Sequence, residues 1–380
     1  MIKTEQKQWT QDGSWAFKTD TGLGETAQLV FVFGATALLR NQELLTDIRS
    51  AYPSAHLLGC STAGEILGTE VFDDTLALTA VEFEHTKIKS ANVELNSDND
   101  SLLAGKQLAQ ELVGDDDLTH VFVLSDGIHV NGSHLVRGLE DNLPEGVLVT
   151  GGLAGDGSRF EKTRVIIDDQ STQRRIGAIG FYGNRLKIGC SSWGGWDPFG
   201  PERIITRSEN NVLYELDGQS ALDLYKKYLG DYAADLPASG LLFPLSLRSQ
   251  SGKRGLVRTI LGVDEETNSM TFAGDVPEGY VARFMKANVE RLIDGAIEAA
   301  QNAHDVIQTE PQLAVLISCV GRKLVMQQRT EEEVEGVLDV LGPNSTLTGF
   351  YSYGEIAPFI PTGLCELHNQ TMTITTFNED

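Results

Sequence analysis

The stretch LVFVF at 29–33, followed after a helix-like segment around Asn41 to Ala51 by AHLLGCSTAGEI at 55–66, decides the reading of the fold. The same order returns near the other end of the chain. LAVLISCV at 313–320 leads through the helix-like TEEEVEGVLDVL at 330–341 into LTGFYSYGEI at 347–356. The second strands share G-x-x-[ST]-x-G-E-I: Gly59, Thr62, Gly64, Glu65 and Ile66 match Gly349, Ser352, Gly354, Glu355 and Ile356. Each is followed by a strand of common ending, TLALT at 75–79 and TMTIT at 371–375. A third copy lies between them, with HVFVLSDG at 120–127, a helix from about Ser133 to Asp141, and GVLVTGGLAGDG at 146–157. Its Ala154-Gly155-Asp156 echoes Ala63-Gly64-Glu65, and GCSSWG at 189–194 is a looser echo of 59–64. Recurrence of the helix and flanking strands around the motif marks an internal repeat.

Continuous apolar runs such as VFVF and AVLISCV predict strands buried on both faces. Glycines at their ends permit close approach of another backbone or of a ligand. These ends are either tight turns leaving a sheet or the walls of a shared pocket. Strands joined by short crossovers and helices predict a layered α/β architecture. Lys162 to Gly189 reads as a β-meander, so the sheets are mixed. Beyond Pro201, 212–230 reads as amphipathic and stops at Gly230, 256–276 as a hairpin, and 281–303 as a long helix. The expected fold class is an α/β, mixed-sheet layered sandwich built from repeated strand–helix–strand units. The expected division is an N-terminal extension over 1–24 and two halves over 25–205 and 206–380.

The chain has 380 residues, with 54 acidic against 30 basic and a formal net charge of −24. Such a field repels phosphate backbones and anionic headgroups, so neither nucleic acid nor a membrane surface is an expected partner. With 41% hydrophobic and 22% charged residues there is material for real cores. Met1 to Thr10 has no apolar core of a signal peptide, and the longest apolar stretch, near Leu29 to Leu39, is too short to span a bilayer. Cys60, Cys190, Cys319 and Cys365 lie far apart, without zinc-type spacing. The expectation is a cytoplasmic protein.

Several residues are candidates for chemistry. GGLAGDG at 151–157 does not fit G-x-G-x-x-G and leads into a strand, which disfavours a phosphate cradle. His129 and His134 sit in SDGIHVNGSHLVRG at 125–138, a loop leaving a buried strand for a helix capped by Asn131 or Ser133. Their spacing disfavours a zinc pair, whereas axial ligation of a planar cofactor needs only one of them. His368, Asn369 and Gln370 either cap the closing sheet or line a pocket. Cys319 is a nucleophile only if a histidine such as His368 meets it, and its apolar flanks favour an inert thiol. Arg258 and Arg322 interrupt apolar strands and call for a carboxylate: Glu65, Asp156 or Glu355 internally, or one from a ligand. Trp193 and Trp196 offer flat apolar surface for a pocket wall or a loop anchor.

At these residues the chain resembles the FIST family of sensory domains. The resemblance covers about residues 25–200 for the N-terminal part and 210–365 for the C-terminal part. It rests on GCSTAGEI (59–66), LSDGIHVNGSHLVRGL (124–139), TGGLAGDG (150–157), WGGWDPFGP (193–201), YELDGQSALDLYKKYLG (214–230), LLFPL (241–245), SCVGR (318–322), GFYSYGEI (349–356) and LHNQTM (367–372). It implies a ligand-sensing module without catalysis. The stand-alone bacterial members that this chain looks like bind haem, sense nitric oxide and regulate a histidine kinase or a cyclic-di-GMP enzyme. The resemblance makes His129 and His134 candidate haem ligands. The rivals are an amino acid or similar carboxylated metabolite, held by Arg258 or Arg322 with His368, Asn369, Gln370, Cys319 and Trp196 around it, and a hydrolase using Cys319.

Overall fold

The computed structural model describes the chain except residues 20, 98–99, 115–116, 251, 253–254 and 360–362. The repeat is real in three dimensions. In the first unit strand Leu29–Gly34 pairs parallel with His56–Ser61 across helix Gln42–Ala51, and antiparallel with Leu76–Glu82. The second unit pairs Leu118–Ser125 parallel with Leu148–Leu153 across helix Gly132–Glu140, and antiparallel with Arg175–Tyr182. The third pairs Leu313–Cys319 parallel with Thr346–Ser352 across helix Thr330–Leu341, and antiparallel with Met372–Glu379. Burial of these strands on both faces explains their unbroken apolar runs.

Each unit also carries a short hairpin that leaves its own sheet and completes a neighbour's. The hairpin opening at Glu65 pairs with the third unit, the one opening at Val165 with the first, and the one opening at Gly354 with the second. The exchange is therefore cyclic. A ring of backbone hydrogen bonds marks it: Ala63 N–H donates to Tyr351 O (2.8 Å), Tyr353 N–H to Leu153 O (3.2 Å), and Gly155 N–H to Ser61 O (2.7 Å). The three sheets face one another around a core that includes Phe31, Phe33, Phe122, Phe181, Phe350 and Phe377. Phe33 and Phe350 lie 4.8 Å apart between ring centroids, and Phe31 and Phe122 5.4 Å. Helices cover the outer faces. The result is a mixed-sheet, layered α/β fold, as expected.

Between the outer strand Leu186–Trp193 and the third unit's first strand, the chain forms an eight-stranded sheet over 197–286 with a core of its own. Both expected parts, 25–205 and 206–380, contribute strands to the three-sheet core. Three local expectations are corrected. The strands of 162–189 are not one meander, since they join three different sheets. Residues 281–303 begin as strand Val281–Lys286; the helix runs Val289–Ile307 after its cap, Asn288. Residues 212–230 likewise divide into strand Val212–Leu216 and helix Ala221–Leu229, which is capped by the Ser220 hydroxyl.

Candidate functional site

The parallel strands of the three units end at connecting loops, the place where open α/β sheets leave crevices for ligands. In the second unit Asp126 follows the strand and is fully buried. Its Oδ1 accepts from Ile128 N–H and His129 N–H (both 2.8 Å) and contacts His129 Nδ1 at 3.1 Å, while Oδ2 accepts from Arg174 N–H at 2.9 Å. The loop is thus wound around one carboxylate. With Nδ1–H donated to Asp126, His129 keeps Nε2 as its acceptor nitrogen. Asn131 caps the following helix through His134 N–H (3.1 Å). Asn131 Nδ2 donates to Asp275 Oδ1, and His134 Nε2 lies 3.5 Å from Asp275 Oδ2, which ties the loop to the inserted sheet region.

His129 and His134 both line a cavity of about 340 Å³ shared with Asn210, Asn211 and Tyr353. Next to it lies an apolar slot of about 520 Å³, bounded by Pro237, Leu241 and Leu261 of the inserted region and Leu324 of the third unit. The two compartments share Gly127, Ile128, Phe160 and Leu261. A third cavity of about 590 Å³ continues from Ser158 and Leu324 to Glu65, Arg159 and Lys323. One cleft therefore runs past the strand ends of all three units. Phe160 stands at its centre with φ +54°, a backbone conformation that costs a bulky residue about 1–3 kcal/mol. It is held there by its N–H to Tyr353 Oη at 3.1 Å and by stacking on the Tyr353 ring, 4.2 Å away at 14°.

The repeated acids clamp the turns. Glu65 accepts from Thr62 Oγ1 and from Thr75 N–H (3.2 Å) and Oγ1 (2.8 Å). Glu355 repeats this with Ser352 Oγ and with Thr371 N–H (3.2 Å) and Oγ1 (2.9 Å). Burial pushes Glu65 up to about 7 and Glu355 up to about 8. A carboxyl raised from 4.5 stabilises the fold fully below pH 4.5 and loses that contribution as the pH rises through about 8. Unfolding midpoints in urea should therefore fall between pH 6.5 and 8.5, above the range in which the buried His120 and His368, lowered to about 3 and about 4, act in the opposite sense, and Glu355→Gln should remove roughly 1–2 kcal/mol of that difference. An unchanged slope in the variant would show that Glu355 titrates normally. Glu379, lowered to about 2, acts in the opposite sense and outside this window.

The remaining candidates gather around the turn 367–370, and none lines the cleft just described. Arg322 is wholly buried and paired with Glu333 at 2.6 Å, not with Glu65, Asp156 or Glu355; a helix neighbour outcompetes the strand-end acids. Arg258 donates to the carbonyls of Leu367 (2.9 Å) and Asp275 (3.2 Å), and burial lowers it to about 10. Both guanidinium groups are spent internally. His368, lowered to about 4 by burial, sits 2.8 Å from Ala357 O. Trp196 Nε1–H donates to Gln370 O at 2.8 Å and so anchors a loop. The amides of Asn369 and Gln370 are buried without a hydrogen-bond partner among the described residues. Burial pushes the Cys319 thiol up, away from the thiolate that a nucleophile requires. Sequence reading missed Phe160, Leu261 and Tyr353, which line the cleft, and Asp126, which is buried beneath it and holds the His129 loop. The SDG preceding His129 was the one available signal, since an aspartate there winds loops.

Comparison with known proteins matches the FIST N domain over residues 28–219 and the FIST C domain over 221–358. An uncharacterized protein of Methanocaldococcus jannaschii is 24% identical over 345 residues, which are 83% of this chain and 64% of that protein. The chain thus spans less than two thirds of its relative's length.

Proposed function

The chain belongs to the FIST family, whose domains are sensors for small ligands, and on that premise we propose that it is a haem-based nitric oxide sensor. The observation behind this reading is the Asp126–His129 pair. A buried carboxylate fixes the tautomer of a half-buried histidine whose Nε2 has no hydrogen bond among the described residues and which lines a cavity. Histidines that ligate iron or zinc are held in this way. The apolar slot beside it supplies walls for a planar macrocycle, so the donor set and the lining fit haem. Haem, when bound, supplies the affinity for nitric oxide. His129 would hold the iron through Nε2, Asp126 would orient the imidazole through Nδ1, and Phe160, Leu261 and Leu324 would wall the macrocycle.

The cleft lies between the inserted sheet and the three-sheet core, so occupancy biases how they meet. That bias is passed to a separate histidine kinase or cyclic-di-GMP enzyme in the cytoplasm, and the role is binding without catalysis. No helix among the described residues is long and apolar enough to cross a membrane. Titration of the purified protein with haem should produce a Soret band that shifts on nitric oxide. His129→Ala should weaken haem by about tenfold or more, while His134→Ala, whose ring faces Asp275, should retain it. A Soret band indifferent to His129→Ala, or none at all, would reject the assignment.

A further inference from the structure

Resting on the haem reading, we infer that Arg159 and Lys323, beyond the apolar slot from His129, receive the two propionate carboxylates and so fix how the macrocycle lies in the cleft. The repeat points to this place by breaking there. In the first and third units the strand-end acid already belongs to the hairpin, Glu65 in strand Glu65–Leu67 and Glu355 in strand Gly354–Pro358. In the second unit residues 157–164 separate Asp156 from strand Val165–Ile167. Three of these extra residues, Ser158, Arg159 and Phe160, line the cleft. Insertions of this kind on a regular scaffold are where binding groups are carried.

The acid clamp changes with the insertion. Asp156, which is buried, accepts from Thr36 Oγ1 (2.9 Å) and Lys162 N–H (3.1 Å). Its Oδ1 also takes Arg159 Nη2 (2.6 Å) and Nε (3.0 Å). A buried carboxylate thus aims a guanidinium 51% exposed, whose Nη1 makes no hydrogen bond among the described residues. Lys323 Nζ donates to Ala63 O (3.0 Å) and to Asp73, which leaves a third N–H. Asp73 is 68% exposed, so that pairing is weak and a ligand carboxylate can replace it. Asp74, the other acid at the rim, is exposed and screened by water, and Glu65 is occupied by Thr62 and Thr75.

Among the described residues, no lysine or arginine lines the His129 cavity or the apolar slot. In a chain of net charge −24, a carboxylate leaves water readily only beside a local cation. Imidazole nitrogen, apolar slot and cations follow one another along the cleft. Haem presents the same order, with iron at its centre, an apolar ring around it and both carboxylates on one edge.

Titrations of the full chain, followed at the Soret band, compare haem with haem dimethyl ester, which keeps the iron and the ring and lacks both charges. Haem should bind about tenfold tighter. Arg159→Gln, at an exposed side chain, should weaken haem about fivefold, with the ester held within about twofold and circular dichroism unchanged. Lys323→Gln should narrow the gap between the two ligands in the same way. His129→Ala should weaken both, because iron ligation is indifferent to the edge groups. Equal affinities for haem and ester, or an equal loss of both in Arg159→Gln, overturn the carboxylate site, while dependence on His129 keeps the haem reading. Binding of neither ligand, or binding indifferent to His129→Ala, rejects the haem reading and the carboxylate site with it.

Discussion

Arg322→Met should lower the free energy of unfolding by about 3–5 kcal/mol, read as a shifted urea midpoint at constant slope. The side chain is wholly buried, and its Nε and Nη2 both donate to Glu333 Oε2, at 3.1 and 2.6 Å. It also holds the carbonyls of Leu292 and Gly194, so one guanidinium joins two helices to the linker before the inserted sheet. Glu333 further accepts from Ser318 Oγ at 2.9 Å and Tyr351 Oη at 2.8 Å. Those hydroxyls cannot neutralise it. Removal of the arginine alone leaves a buried carboxylate, which is the costly case. Adding Glu333→Gln to the variant should recover part of the loss, because the charge then disappears with its partner. Arg258→Met should cost less, since its hydrogen bonds go to carbonyls and leave no orphaned ion. A loss below about 1 kcal/mol for Arg322→Met would show the pair to be solvated.

Gly349→Ala should be at least as severe. A Cβ built there lies 1.8 Å from Leu316 O, on the strand paired with it in parallel. The equivalent glycines repeat the clash, Gly151 at 1.8 Å from Val123 O and Gly59 at 2.0 Å from Val32 O. The obstacle is backbone, so no rotamer change relieves it and the ladder itself must open. We expect a loss of about 3 kcal/mol or more, or failure to accumulate folded protein. Gly262→Ala is the control. That glycine also lies in a strand, but a Cβ meets nothing within 4 Å, so its stability should change by no more than about 0.5 kcal/mol. Comparable losses for the two substitutions would remove the close-approach argument for the repeated glycine.

The repeat was legible because its physical demands are local. Wherever the second strand presses on the first, only glycine fits, and the acid that follows must find hydroxyls to clamp it. Gly59 and Gly349, and Glu65 and Glu355, show these constraints in sequence alone. The loop of His129 and His134 was legible for a similar reason. Polar residues leaving a buried strand need partners, and Asn131 identifies the helix start. The partner of Arg322 was not legible, because several acids were equally available in sequence. The turn at 287–288 was missed because Val281–Lys286 alternates only briefly before a strongly amphipathic helix begins.

By itself the sequence determined the unit: two buried parallel strands, a crossover helix, a glycine–acid turn and a closing strand. It also determined the acidic balance, a net charge of −24. Tertiary structure alone decided how the units combine. Three-residue strands such as Glu65–Leu67 and Val165–Ile167 carry no record of which sheet they will join. Their partner is chosen by the faces that remain to be buried once all three units have folded. The cleft is decided in the same way. Phe160 becomes a wall of the cleft only because Tyr353, 193 residues further on, holds its strained backbone and its ring. Local periodicity encodes which surfaces must be covered, whereas the identity of the covering surface is a property of the whole packed chain.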